Sequence, residues 1–169
     1  LPAIKSMMLG KIDEGVQLLQ ECFASCGIAF QVVKNFRGVP VQGFIKESAN
    51  NKIILCLTIR GKRADTFWFT LFHEIAHILY GDYTNRFVDF DSVPGKIEER
   101  ADQFARDTLL TPEQYRAFVH EGNYASWHNI AAFASAMHVE PFIVIGRLQN
   151  DKLLDWSHYQ NKIRHYEWA

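Results

Sequence analysis

His73-Glu74-Ile75-Ala76-His77 brings two imidazoles and a carboxylate into five consecutive residues. On a helix, His73 and His77 lie one turn apart on the same face, so each offers a ring nitrogen to a single ion. Glu74 sits one step round from His73, beside such an ion and not bound to it, where it is placed to take a proton from water. Apolar Leu71, Phe72, Ile75, Ile78 and Leu79 surround the three polar residues. Two histidines and a glutamate are costly in a core helix unless a metal or other partners satisfy them.

Zinc needs a third protein ligand, the fourth position being left to water in a catalytic site. The elongated pattern HExxHxxGxxH requires a glycine and a histidine where this chain has Tyr80 and Tyr83, so it does not apply. A glutamate from a following helix is the other option, and a helical stretch does follow, beginning Ile97-Glu98-Glu99-Arg100-Ala101-Asp102. Glu98 and Asp102 share a face. Glu98 is the expected ligand, with Asp102 hydrogen-bonding the far nitrogen of a ligating histidine to fix its tautomer and orientation. Acidic residues also suit the first turn of any helix, but that alone leaves the Asp102 spacing unexplained.

The elements that must hold these groups are readable from periodicity. Residues 11–26 place Ile12, Val16, Leu19 and Phe23 at helical steps, and Gly27 closes that helix. Three β-rich runs follow, Ile28–Phe36, Val41–Ile45 and Lys52–Ile59, broken by Arg37-Gly38 with Pro40 and by Ser48-Ala49-Asn50-Asn51. Together they predict a small sheet. Asp65–Tyr80 is the long apolar helix carrying the histidines, with Asp65 or Thr66 as N-cap and Gly81 just past its end. A polar loop runs over Asp82–Gly95, and helical periodicity resumes from Lys96 to Leu110. Thr111-Pro112-Glu113-Gln114 reads as a capping box opening a helix that ends at Gly122. Ser126–Met137 and Phe142–Leu148 form two more helical segments joined by a turn, and the aromatic tail Leu154–Ala169 is expected to be a final helix, packed or partner-binding.

HEIAH followed by EERADQFARDTLLTP resembles the ImmA/IrrE family of zinc metallopeptidase-like proteins. The family pairs an HExxH helix with a helix of the form E-x-E-A-N/D-x-F-A, with Leu-Leu and Pro further on. The matching positions are Glu98, Ala101, Asp102, Phe104, Ala105, Leu109, Leu110 and Pro112. The chain departs from the pattern at Arg100, where the family usually has an acidic or polar residue, and at Asp102, where asparagine is commoner. HVEPFIVIGRLQNDKLL is also similar to the family's C-terminal helical segment, so the likeness spans about residues 50–155.

The resemblance implies an α+β, zincin-like fold: a small three-stranded sheet on an N-terminal helix and the HExxH helix, followed by a C-terminal helical subdomain. It also implies a zinc site with His73, His77 and Glu98 as metal ligands, Glu74 as the catalytic general base and Asp102 behind a ligand. The expected substrate is a protein or peptide such as a transcriptional repressor. Family members commonly carry, or are encoded beside, a helix-turn-helix regulator, and some have sensing or antitoxin roles without proteolysis. In zincin folds an extended peptide pairs with the edge strand beside the cleft, a role expected here of Lys52–Ile59. Tyr80, Tyr83, His120 and His128 are candidate oxyanion donors that spacing does not rank.

The chain of 169 residues carries 18 Lys+Arg against 19 Asp+Glu, a net charge of −1. This fits one domain spanning residues 1–169, with an N-terminal α/β part over 1–81 and a helical part over 96–169. Balanced charge gives no whole-domain pull on nucleic acid or anionic membrane. The segment pair around residues 126–148 has helix-turn-helix-like spacing, yet Arg147 is the only basic residue in its second helix, so core packing is expected instead of DNA contact. Cys22, Cys26 and Cys56 have no metal or redox spacing and read as small core residues of a reducing compartment. With no apolar run long enough for a bilayer span and no signal-peptide pattern, the cytoplasm is the expected location. Leu1 in place of Met points to a processed product or a segment of something longer, with an upstream or adjacent regulator as the expected companion.

Overall fold

A computed structural model describes residues 1–10, 12–34, 41–48, 52–84 and 94–167. Helix α1 (Pro2–Ser6) and a 3-10 turn (Met7–Leu9) precede α2 (Ile12–Ser25), the strands β1 (Ile28–Val33), β2 (Gly43–Glu47) and β3 (Ile53–Thr58), and helix α3 (Ala64–Tyr80). A second 3-10 turn (Asp82–Thr84) leads towards α4 (Pro94–Leu109), α5 (Pro112–His120), α6 (Trp127–Ala136) and α7 (Pro141–Asn150). The fold is α+β and zincin-like, with one mixed sheet and a helical majority. The segments Arg37-Gly38 with Pro40, Ala49–Asn51 and most of the loop after Thr84 lie outside the described residues, as do Phe36 and Trp168.

Strand order is β1-β3-β2, with β3 parallel to β1 and antiparallel to β2. This corrects one expectation: the run Lys52–Ile59 supplies the central strand, and β2 is an edge. Hydropathy alone hints at it, since β3 buries Leu55, Cys56 and Leu57 in succession, as a strand covered on both sides does. Phe30, Leu55 and Ile45 stand in one cross-strand row and face the core, where the Phe23 ring of α2 lies 5.2 Å from that of Phe30. Helix α3 runs under the same sheet and buries Phe67, Trp68, Leu71, Phe72 and Ile75.

Four further expectations are corrected. The tail is not a helix: beyond α7 the chain makes turns and a 3-10 turn (Gln160–Lys162), then an isolated bridge pairs Arg63 with His165. Ile163 and Tyr166 are buried, Trp156 is 56% exposed, and the Trp68 indole N–H donates to the Tyr166 hydroxyl at 2.8 Å. The tail is thus an extended strap whose aromatic anchors are spaced irregularly, which helical periodicity does not describe.

The N-cap of α3 is Arg63, not Asp65 or Thr66. Asp65 spends its carboxylate on the Arg63 guanidinium, at 3.0 and 2.7 Å, and the backbone N–H of Ala64 donates to the Arg164 carbonyl at 2.9 Å. At Thr111 the hydroxyl donates to the Gln114 side-chain carbonyl instead of closing a capping box on the backbone. Only Cys56 is buried, which pushes its thiol pKa up; Cys22, near the end of α2, is half-buried and Cys26, in the turn after it, is exposed.

The pair α6 and α7 meets at 113°, but α7 buries Phe142, Ile143, Val144, Ile145 and Leu148. Its apolar face belongs to the core and packs on α3. Among the described residues no single helix is long and apolar enough to cross a membrane.

Candidate metal centre

Core packing fixes His73, Glu74 and His77 in space before any ligand is considered. Helix α3 is buried along most of its length, and Gly81 ends it in the left-handed region at φ 72°. Such a terminus suits glycine because it has no Cβ to clash. His77 is 0% exposed and Glu74 3%. Helix α4 crosses α3 with Ala101 and Ala105 fully buried at the contact, small side chains that let the two backbones come close. That contact turns Glu98 and Asp102 towards the histidines.

The resulting geometry is convergent. The Nε2 atoms of His73 and His77 lie 3.0 Å apart, and Glu98 approaches them with Oε2 at 3.1 Å from His73 Nε2 and Oε1 at 3.7 Å from His77 Nε2. Behind His73, Nδ1 lies 2.8 Å from Asp102 Oδ1. A carboxylate only accepts, so a proton on this nitrogen satisfies Asp102 and leaves the Nε2 lone pair for a cation on the other side. One potential ligand atom from each of His73, His77 and Glu98 falls within a 4.8 Å group. In a tetrahedral zinc site with bonds near 2.0 Å, donors lie about 3.3 Å apart. Two imidazole nitrogens and a carboxylate at these separations fit a divalent cation in both chemistry and spacing. The side chain of Glu98 is 47% exposed, so one flank of the cluster faces solvent.

Glu74 reaches the seam between α3 and β2. A Cβ on Gly43 would lie 2.8 Å from Glu74 Oε1 and 2.9 Å from Leu57 Cδ2, so only glycine lets the edge strand pass this close to the carboxylate. The neighbouring Gln42 is tied down by its backbone carbonyl, which accepts from Thr58 N–H at 2.7 Å, and by its side chain, which accepts from Thr70 at 3.2 Å. Gly43 is therefore a site residue that the sequence did not single out. A lone glycine inside a strand signals a bulge or a close backbone approach, but nothing local says to what.

Tyr80 stacks its ring under the Arg100 guanidinium at 4.0 Å and packs edge-on against Phe104. Of the four proposed oxyanion donors, none has a hydrogen bond to His73. Beyond Asp102 a cavity of about 150 Å³ opens between Phe69, Arg106, Leu110, Ile143 and Trp156. Phe69 and Arg106 bound it on the metal side, since the Phe69 ring is 6.3 Å from that of His73 and Arg106 is 3.9 Å from Asp102.

An HExxH helix crossed by a second helix bearing glutamate and aspartate one turn apart places the molecule among the zincin-like, metallopeptidase-type domains. The family model for the IrrE N-terminal-like domain, Peptidase M78, matches residues 46–140, more than half of the chain, and the chain belongs to that family. No curated protein matches it.

Proposed function

We propose that this chain is a zinc-dependent peptidase that cuts a protein substrate such as a transcriptional repressor. The observation carrying the proposal is the convergence of His73 Nε2, His77 Nε2 and the Glu98 carboxylate, with Asp102 bonded to the outer nitrogen of His73. Held by these three side chains, zinc would supply a Lewis acid for the scissile carbonyl and bring the pKa of water towards neutrality. Asp102 keeps His73 in the tautomer that presents its Nε2 lone pair. Glu74 is the general base: its carboxylate takes a proton from the attacking water and returns it to the amine that leaves. Burial between α3 and β2 limits the rotamers open to it.

Edge strand β2 is the place for an extended substrate segment, because among the described residues only β3 pairs with it. Backbone pairing of this kind recognises a main chain and suits a protein substrate. The companion regulator, a helix-turn-helix protein or domain, belongs to the same proposal and would carry the nucleic-acid contacts.

The test is cleavage of a repressor-type protein by zinc-loaded wild type and by Glu74→Gln. The variant is expected to bind zinc as the wild type does and to cut nothing. Retained cleavage would remove Glu74 from the base role. Absence of cleavage by zinc-loaded wild type would favour a regulatory domain that keeps the centre without proteolysis.

A further inference from the structure

Asp82 follows the glycine that ends α3, and no helical spacing links it to the site. The left-handed turn at Gly81 folds the chain back so that Asp82 stands beside the last turn of α3, with Oδ2 3.7 Å from His77 Nδ1. Its side chain is only 11% exposed. Both of its oxygens are taken by one guanidinium: Arg100 Nη2 donates to Oδ1 and to Oδ2, each at 2.8 Å. The guanidinium is held in turn by the Tyr80 ring beneath it, at 4.0 Å, and Tyr80 rests against Phe104.

We propose that Asp82 and Arg100 are positioning residues for the second histidine of the centre, Asp82 orienting the His77 ring from its Nδ1 side and Arg100 fixing that carboxylate. The inference rests on the metal-centre reading given above. Its logic is a repeat: His73 is backed by Asp102, which has Arg106 at 3.9 Å, and His77 is backed by Asp82, which has Arg100. Both arginines come from α4, so one helix supports both ligands from outside.

A carboxylate oxygen has two acceptor sites, so Oδ2, which accepts from Arg100, keeps a second one facing His77 Nδ1, and at 3.7 Å that contact is an electrostatic one, longer than a hydrogen bond. An N–H donated to a carboxylate makes the opposite ring nitrogen more basic and sets its tautomer, which raises metal affinity. Arg100 also offsets charge where Glu74, Glu98 and Asp102 on the two helices and Asp82 on the turn after α3 crowd together. This gives a physical role to Arg100, one of the two positions at which the chain departs from its family's motif.

Zinc affinity, measured by competition with a chromogenic chelator, tests the proposal on wild type, Asp82→Ala, Asp82→Asn, Arg100→Met and Arg100→Lys. Asp82→Ala is expected to bind zinc about 10–100-fold more weakly. Asp82→Asn recovers part of the loss, because its carbonyl dipole still faces the Nδ1 side of the His77 ring. Arg100→Met weakens binding less than Asp82→Ala, and Arg100→Lys falls between Arg100→Met and wild type. In the cobalt-loaded proteins the visible d–d bands shift in Asp82→Ala, a change that a purely structural ion pair would not produce. Arg100 is half exposed, so its variants test the idea even if Asp82→Ala fails to fold.

Zinc affinities of Asp82→Ala and Arg100→Met within twofold of wild type would overturn the proposal. Wild type that binds no zinc would instead overturn the metal centre itself, so the two failures are distinguishable.

Discussion

Helices α3 and α4 each contribute to the centre, and they are built on opposite principles. Helix α3 is an interior element that buries eleven of its residues, including Glu74 and His77. Helix α4 is a surface element whose fully buried contacts near the site are the two alanines, Ala101 and Ala105. The first holds its groups by apolar packing on several sides. The second holds its groups by how closely it docks and by ion pairs at its surface, Arg100 to Asp82 and Arg106 to Asp102. Position in the centre is thus set by the core for the histidines and by one seam for the carboxylates.

That contrast predicts a graded set of losses. Phe72→Ala in α3 empties a fully buried site and is expected to cost about 3–5 kcal/mol of unfolding free energy by urea titration. A cost near that of a surface change would mean that α3 is not the interior element described.

Ala101→Leu overpacks the seam and is expected to cost about 1–3 kcal/mol. It should also weaken zinc binding by displacing Glu98 and Asp102. Lost stability with unchanged zinc affinity would separate the seam from the centre.

Asp102→Asn leaves both helices packed and should weaken zinc binding about tenfold, roughly 1.4 kcal/mol, with the melting temperature of the metal-free protein nearly unchanged. Equal affinities would deny Asp102 its role behind His73. Smallest of all, Gln103→Ala on the outer face of α4 removes an exposed bond to Asp107 and should change stability by less than about 0.5 kcal/mol. A larger effect would show that α4 depends on its solvent face as well as its seam.

The same contrast explains what could be read in the sequence. Helix α3 and the HEIAH cluster were legible because apolar residues recur at helical steps and because two histidines four apart have few other uses in a core. Glu98 and Asp102 were legible as a second pair with the same spacing, on a helix that follows. Strand order was not, since Leu55 and Ile45 meet only through pairing between distant segments, and a run of apolar residues does not name its neighbours. The cap of α3 was misplaced because Asp65 answers to Arg63, whose guanidinium also donates to the side-chain oxygen of Gln149 at 2.9 Å, a partner far along the chain. Gly43, Asp82 and Arg100 escaped for a related reason. Gly43 and Asp82 matter through a strand or a turn that brings them next to α3, Arg100 matters through its grip on Asp82 from α4, and none shares a helical period with the histidines.

The strap at the start of α3 bears on how the molecule is made. Trp68 and the residue that accepts its indole hydrogen bond, Tyr166, are separated by 98 positions. At the usual pace of synthesis, about 5–20 residues per second, roughly 5–20 s pass between the emergence of the first and of the second. Contacts across so long a loop also form late because of the entropy of closing it. The helix bearing the two histidines is therefore left open at its N-terminal end until Tyr166 has been made, 98 positions after Trp68.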